Sequence, residues 1–145
     1  MQQKLGKWSL RFTEAPFILE SSSVVGTKEA DGPLGGLFDI VGKDDRFGQN
    51  TWEKAESSMQ RDALTMALGK AHLHASDMEY VFAGDLLGQS MATTFGVENF
   101  RIPWFGVYGA CSTCGESLSL AAAFVAAGYA RHAVAVTSSH FGSAE

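Results

Sequence analysis

The sequence predicts an α/β fold, a mostly parallel sheet flanked by helices, and three observations carry that reading. Tyr80-Val81-Phe82-Ala83, residues 103–108 and Ala133-Val134-Ala135-Val136-Thr137 are short, nearly continuous apolar runs, the composition of strands covered on both faces. The stretches between them read as helices, and strands that alternate with helices run parallel through right-handed crossovers. Ahead of them, Trp52, Ala55, Met59, Ala63, Met66 and Ala67 recur at helical spacing and predict a first long helix.

Taken in order, Trp8-Ser9-Leu10-Arg11-Phe12 and Pro16-Phe17-Ile18-Leu19 predict one or two short strands, with Pro16 at an edge or at a strand's first residue. Residues 26–50 hold Asp31-Gly32-Pro33-Leu34-Gly35-Gly36 and Lys43-Asp44-Asp45-Arg46, punctuation that predicts a long loop. Its glycines match neither G-x-x-x-x-G-K-[ST] nor G-x-G-x-x-G, so a structural turn is the better reading than a phosphate cradle. Asn50, with Glu53 three residues on, resembles a capping box that starts the first helix, whose other faces take Glu53, Lys54, Glu56, Arg61 and Asp62. His72 and His74 follow in a connection and read as solvent-facing, because no cysteine or carboxylate stands near enough to complete a metal site. Leu87, Met91 and Phe95 predict a helix within 86–100, against the weak preference of Gly88, Thr93, Thr94 and Gly96. Residues 112–128 form an alanine-rich helix before the final strand.

With 145 residues, 46% hydrophobic and 19% charged, the chain fits one domain able to bury roughly 68–70% of its unfolded surface. A net charge of −5 without a dense lysine or arginine cluster argues against a nucleic-acid surface, which needs an extended basic footprint. Charge and glycine interrupt the first eight residues, which lack the apolar stretch of a secretory signal. The two cysteines are therefore expected as reduced thiols. The longest apolar run, 118–130, is well short of the roughly 20 residues that span a bilayer, so any membrane association is expected to be peripheral.

Function is expected at Gly109-Ala110-Cys111-Ser112-Thr113-Cys114-Gly115-Glu116, where a strand delivers a small-residue turn into a helix. Unpaired backbone N–H groups and the positive end of the helix dipole meet Cys111 and Ser112 there, a setting that favours thiolates and anions. Several readings stay open for Cys111. With Cys114 it forms a C-x-x-C dithiol suited to redox exchange, although no proline follows Pro103 to supply the loop that faces such dithiols. The two thiols with His132 or His140 could bind zinc. Cys111 alone could be an acyl-accepting nucleophile or line a ligand pocket, or be inert.

Glu116 is the lone charge in the helix and suits its first turn. Asp85, Ser138, Ser139 and His140 lie at carboxyl ends of predicted strands, the edge where open α/β sheets bind ligands. Asp85 also reads as a cap for the segment after it. The helix behind Cys111 is apolar almost all round, so one sheet covers one side and something else must cover the other.

Residues 109–113, the alanine-rich helix with Gly128, and residues 133–140 resemble the nucleophile elbow and following strand of the thiolase-like superfamily, which includes thiolases and ketoacyl synthases. Lys28-Glu29-Ala30-Asp31-Gly32-Pro33-Leu34-Gly35, Trp52-Glu53-Lys54-Ala55-Glu56, Ala83-Gly84-Asp85-Leu86-Leu87 and Thr137-Ser138-Ser139-His140 narrow the resemblance to the N-terminal part of the stage V sporulation protein AD family of endospore-forming bacteria. The resemblance implies a thiolase-like half used for binding, not for carbon–carbon bond chemistry. Its ligand would be dipicolinic acid (pyridine-2,6-dicarboxylate) as the calcium complex, with uptake into the developing spore as the purpose. Its partners would be other proteins of the same sporulation operon at the forespore or spore inner membrane, and no cofactor is implied. Trp104 or Tyr108 could help shape a flat pocket, although core packing suits both.

In the superfamily a second half supplies the histidines and the cysteine or asparagine that assist the nucleophile. Residues 1–145 are expected to be one domain lacking that half, not an enzyme, and prone to homodimerisation or self-association. Cys114 stands where the relatives are expected to carry serine. An acyl-transferring enzyme using Cys111 and a dithiol redox protein are the alternatives.

Overall fold

The computed structural model describes residues 4–141. β1 (Lys4–Leu5) and β2 (Ser9–Leu10) form a small antiparallel hairpin, its turn made possible by Gly6 at φ +61°. Residues 16–19 join no ladder, and Phe17 and Ile18 are exposed, so the strand expected there is absent. β3 (Val24–Val25), α1 (Thr27–Ala30) and β4 (Ile40–Val41) follow, with β3 and β4 paired in parallel. The 26–50 stretch is thus a folded excursion with a helical turn, a 3-10 turn at Gly35–Leu37 and a strand, rather than an unbroken loop.

α2 (Trp52–Lys70) starts one residue later than Asn50 suggests, because the Thr51 hydroxyl accepts the Lys54 N–H at 3.3 Å. Then come β5 (Tyr80–Asp85), α3 (Met91–Val97), β6 (Trp104–Gly106), α4 (Thr113–Ala126) and β7 (Ala133–Ser138). The three strands form a parallel sheet in the order β6-β5-β7. This is the predicted α/β architecture.

Alternation along β5 sorts its side chains between two layers. Val81 and Ala83 join Leu64 and Leu68 of α2, Val97 of α3, Ile102 and Val136 in a core beneath α2 and α3. Tyr80 and Phe82 face α4, where Phe82 stacks on Phe105 at 5.2 Å and meets Phe124 edge-on at 4.9 Å. α4 packs on β5 and β7 through that aromatic cluster. Before β7, the His132 N–H donates to Glu79 Oε2 (2.9 Å) and the Glu79 N–H to the His132 carbonyl (3.2 Å), which sets the register of β7 on β5.

The N-terminal excursion is tied to the end of α2. The Asp39 carboxylate accepts from Lys70 Nζ (3.1 Å) and from the Ser23 N–H (2.9 Å). The Lys70 hydrogen bond, ahead of the Ser23 amide, holds the Asp39 pKa below its ordinary 3.8. A carboxylate whose pKa is lowered on folding stabilises the fold above its unfolded pKa and stops doing so as pH falls through the folded value. Asp39→Asn is therefore expected to be less stable than the parent at pH 7, with the gap closing below about pH 4. Urea melts across that range check it, and a gap of constant size from pH 7 to pH 3 contradicts it.

Candidate functional site

The register aligns Gly84 with Thr137 and Asp85 with Ser138 at the carboxyl edge of the sheet. Alternation sends Asp85 and Ser138 toward α2 and α3, and Gly84 and Thr137 toward α4. The two faces of this one edge do different things.

On the α4 face the chain leaves β6 at Val107, whose N–H donates to the Ala83 carbonyl at 2.8 Å. The Gly109 N–H donates to Thr113 Oγ1 at 3.0 Å, and Ala110, at φ +50°, opens a 3-10 turn, Ala110–Ser112, that enters α4. A non-glycine residue in the left-handed region carries strain of order 1 kcal/mol, held here by the packing around it. The packing is close: a Cβ at Gly84 would collide with the Val107 carbonyl oxygen and the Thr113 methyl. β5 and the elbow touch backbone to backbone.

This elbow presents Cys111, Ser112 and Cys114 to solvent, both cysteines as free thiols. The Ser112 hydroxyl shares its one proton between the Gly109 carbonyl, at 2.7 Å, and Glu116 Oε1. Glu116 therefore folds back over Gly109, where an added Cβ would lie 2.6 Å from its Oε1. The start of α4 already holds one carboxylate of its own. Thr137 and Ser139 are exposed on neighbouring chain, and Tyr108, expected in the core, is about half exposed beside the elbow. Trp104 packs against the core instead.

On the other face, Asp85 is fully buried. Its Oδ1 accepts the Ser90 N–H (3.1 Å), and its Oδ2 accepts the Thr93 N–H (3.2 Å) and hydroxyl (2.8 Å). Those amides open α3, whose own N-cap residue, Ser90, lies at φ +67° without a side-chain cap. Asp85 therefore caps α3 from the preceding strand, the structural role its position also allowed.

From Asp85 a buried chain of polar groups runs to a second carboxylate. Gln60 Nε2 lies 3.0 Å from Thr93 Oγ1, 2.7 Å from Ser138 Oγ and 3.1 Å from the Gly84 carbonyl. The Ser138 hydroxyl donates to Glu56 Oε1 at 2.7 Å. Glu56 and Gln60 are essentially inaccessible. Ser138 thus spends its hydroxyl inside this network. His140 turns toward the N-terminal excursion: its ring meets Trp52 at 5.3 Å, and Nε2–H donates to the Asp45 carbonyl at 2.6 Å.

Of the six residues singled out from sequence, Cys111, Ser112 and Ser139 are exposed, while Asp85, Ser138 and His140 are engaged in internal hydrogen bonds. Sequence reasoning missed the burial of Glu56 and Gln60. Glu56 falls on a charged stripe that reads as solvated, and Gln60 carries no signal of its own.

Among the described residues no three His, Cys, Asp or Glu side chains gather to hold a metal ion, so the zinc reading has no ligand set. A shallow hollow of about 500 Å³, lined by Leu68, His72, His74 and Phe100, lies toward the other end of the sheet and away from the elbow. The outer side of α4 leaves Leu118 and Leu120 40–48% exposed, so one flank of this apolar helix is uncovered. No described helix is long and apolar enough to cross a membrane.

Comparison with known proteins adds to this geometry. Stage V sporulation protein AD of Bacillus subtilis (strain 168) is 39% identical over 140 residues, which cover 97% of this chain and 41% of that protein. The chain spans about two fifths of the length of the relative it matches. The family model described as "Stage V sporulation protein AD (SpoVAD)" matches residues 6–145, a span that takes in the capped sheet edge, the buried network and the Cys111 elbow. The chain belongs to the stage V sporulation protein AD family, and with it to the proteins of sporulation.

Proposed function

We propose that this chain carries part of a site for dipicolinic acid, held as its calcium complex at the Cys111 elbow without catalytic turnover, in support of uptake into the developing spore. The observation that carries the reading is the elbow itself: a strained Ala110 at the carboxyl edge of a parallel sheet presents Cys111 and Ser112 at the start of α4. Such a terminus offers N–H groups to a carboxylate, and the half-exposed Tyr108 supplies an aromatic surface for a flat ring.

Glu116 bears on which form of the ligand binds. A bare dicarboxylate placed beside it meets like charge, whereas the calcium complex is close to neutral and brings a cation that a carboxylate favours. The proposal therefore expects calcium dipicolinate to bind more tightly than dipicolinate alone. The other proteins of the sporulation operon are the partners this role calls for, and a spore membrane is the place for it.

Titration calorimetry on a full-length family member containing this segment tests the reading, with calcium present and absent. Heat of binding that is larger in affinity with calcium is expected. No heat with either form overturns the binding role. A covalent acyl adduct on Cys111, seen by mass, would favour an acyl-transferring enzyme instead.

A further inference from the structure

We infer that the N-terminal hairpin is a docking element for an anionic phospholipid surface, a role independent of the ligand reading. Trp8 at its tip is 85% exposed and Leu10 is 73% exposed. The Lys7 ammonium lies 4.8 Å from the centroid of the Trp8 ring. The register sets Lys4 opposite Leu10, so a cation and an apolar side chain share one face of the hairpin. Arg11 follows directly.

Charge decides between occupants. Lys4, Lys7 and Arg11 fall within eight residues, and the first carboxylate of the chain is Glu14. The remaining sequence carries all sixteen carboxylates against eight cations, so the hairpin is a basic projection on an otherwise acidic chain. A neutral apolar partner would leave the three cations without a counterpart. An anionic bilayer accommodates both halves of the pattern: tryptophan settles at the headgroup level, and each lysine or arginine near such a surface strengthens binding roughly fivefold. The hairpin pairs two residues with two, too short to span a membrane, so the docking is shallow.

The test is co-sedimentation of the full 145-residue chain with vesicles of phosphatidylglycerol and phosphatidylcholine, against phosphatidylcholine alone. Binding is expected to be at least tenfold tighter to the anionic vesicles and to weaken with added salt. The double variant Lys4→Glu/Lys7→Glu is expected to lose at least tenfold, and Trp8→Ser several-fold. Because these side chains are exposed, melting curves should match the parent. Brominated lipid should quench emission in the parent and quench it less in Trp8→Phe, with Trp52 and Trp104 as internal references. Equal binding to neutral and anionic vesicles overturns the inference. So does vesicle binding that all three variants retain, which would place another surface on the lipid. Self-association without vesicles that Trp8→Ser abolishes would put a second copy on the hairpin and also overturns it.

Discussion

Gly84→Ala is expected to lower the unfolding free energy by about 3 kcal/mol, the upper part of the range for forcing a methyl into a packed interior. At this chain length that corresponds to a fall in melting temperature of roughly 6–12 °C. The cost is high because the added methyl meets backbone, the Val107 carbonyl oxygen, and not the end of a side chain that could swing away. Relief requires β5 to part from the elbow, which strains the bond from the Val107 N–H to the Ala83 carbonyl. The same shift moves Cys111, so any ligand affinity at the elbow should fall with stability. A melting temperature within 2 °C of the parent would show that the close approach does not constrain the fold.

Gln60→Leu is expected to cost about 2–4 kcal/mol, although leucine is similar in size and more apolar. The substitution removes the donor shared by the Gly84 carbonyl, Thr93 and Ser138, so three buried acceptors each lose a hydrogen bond worth about 1 kcal/mol. One term offsets part of this, since Gln60 Oε1 is itself buried without a hydrogen-bond partner among the described residues. A double-mutant cycle with Ser138→Ala, read by urea unfolding, isolates the link from Gln60 to Ser138, with a coupling of about 1 kcal/mol expected. Independent, additive effects would mean that the chain of bonds between Asp85 and Glu56 does not act as a unit.

Much of the fold was legible because local pattern and tertiary role agree. The apolar run at residues 80–83 reads as a strand covered twice, and α2 and α3 cover one of its faces while α4 covers the other. The Cys111 elbow was legible for the same reason: a strand, a small-residue turn and a helix stand in one short stretch. The prediction that α4 needs covering on two sides also has a physical counterpart in the exposed Leu118 and Leu120.

The buried network was not legible, because burial of Glu56 and Gln60 depends on where α3 and the end of β7 arrive. Ser138 and Thr93 come from distant sequence, and no periodicity in α2 announces them. Helix pattern alone assigned Glu56 to water, yet it lies fully buried with the Ser138 hydroxyl on its carboxylate. Likewise, Phe17-Ile18-Leu19 has strand composition but no neighbouring strand, and composition cannot supply a partner. Asp85 shows the opposite case, where the plain capping role foreseen from position is the one its three hydrogen bonds perform.

The central claim, that the elbow at Cys111 holds an anionic ligand as its calcium complex, is tested most directly by one comparison in the full-length family member. Calcium dipicolinate is titrated into the parent and into Cys111→Ala. The account predicts measurable binding by the parent and an affinity at least tenfold lower for the variant, with unchanged melting curves before ligand is added. Equal affinities would place the ligand away from this elbow and contradict the account.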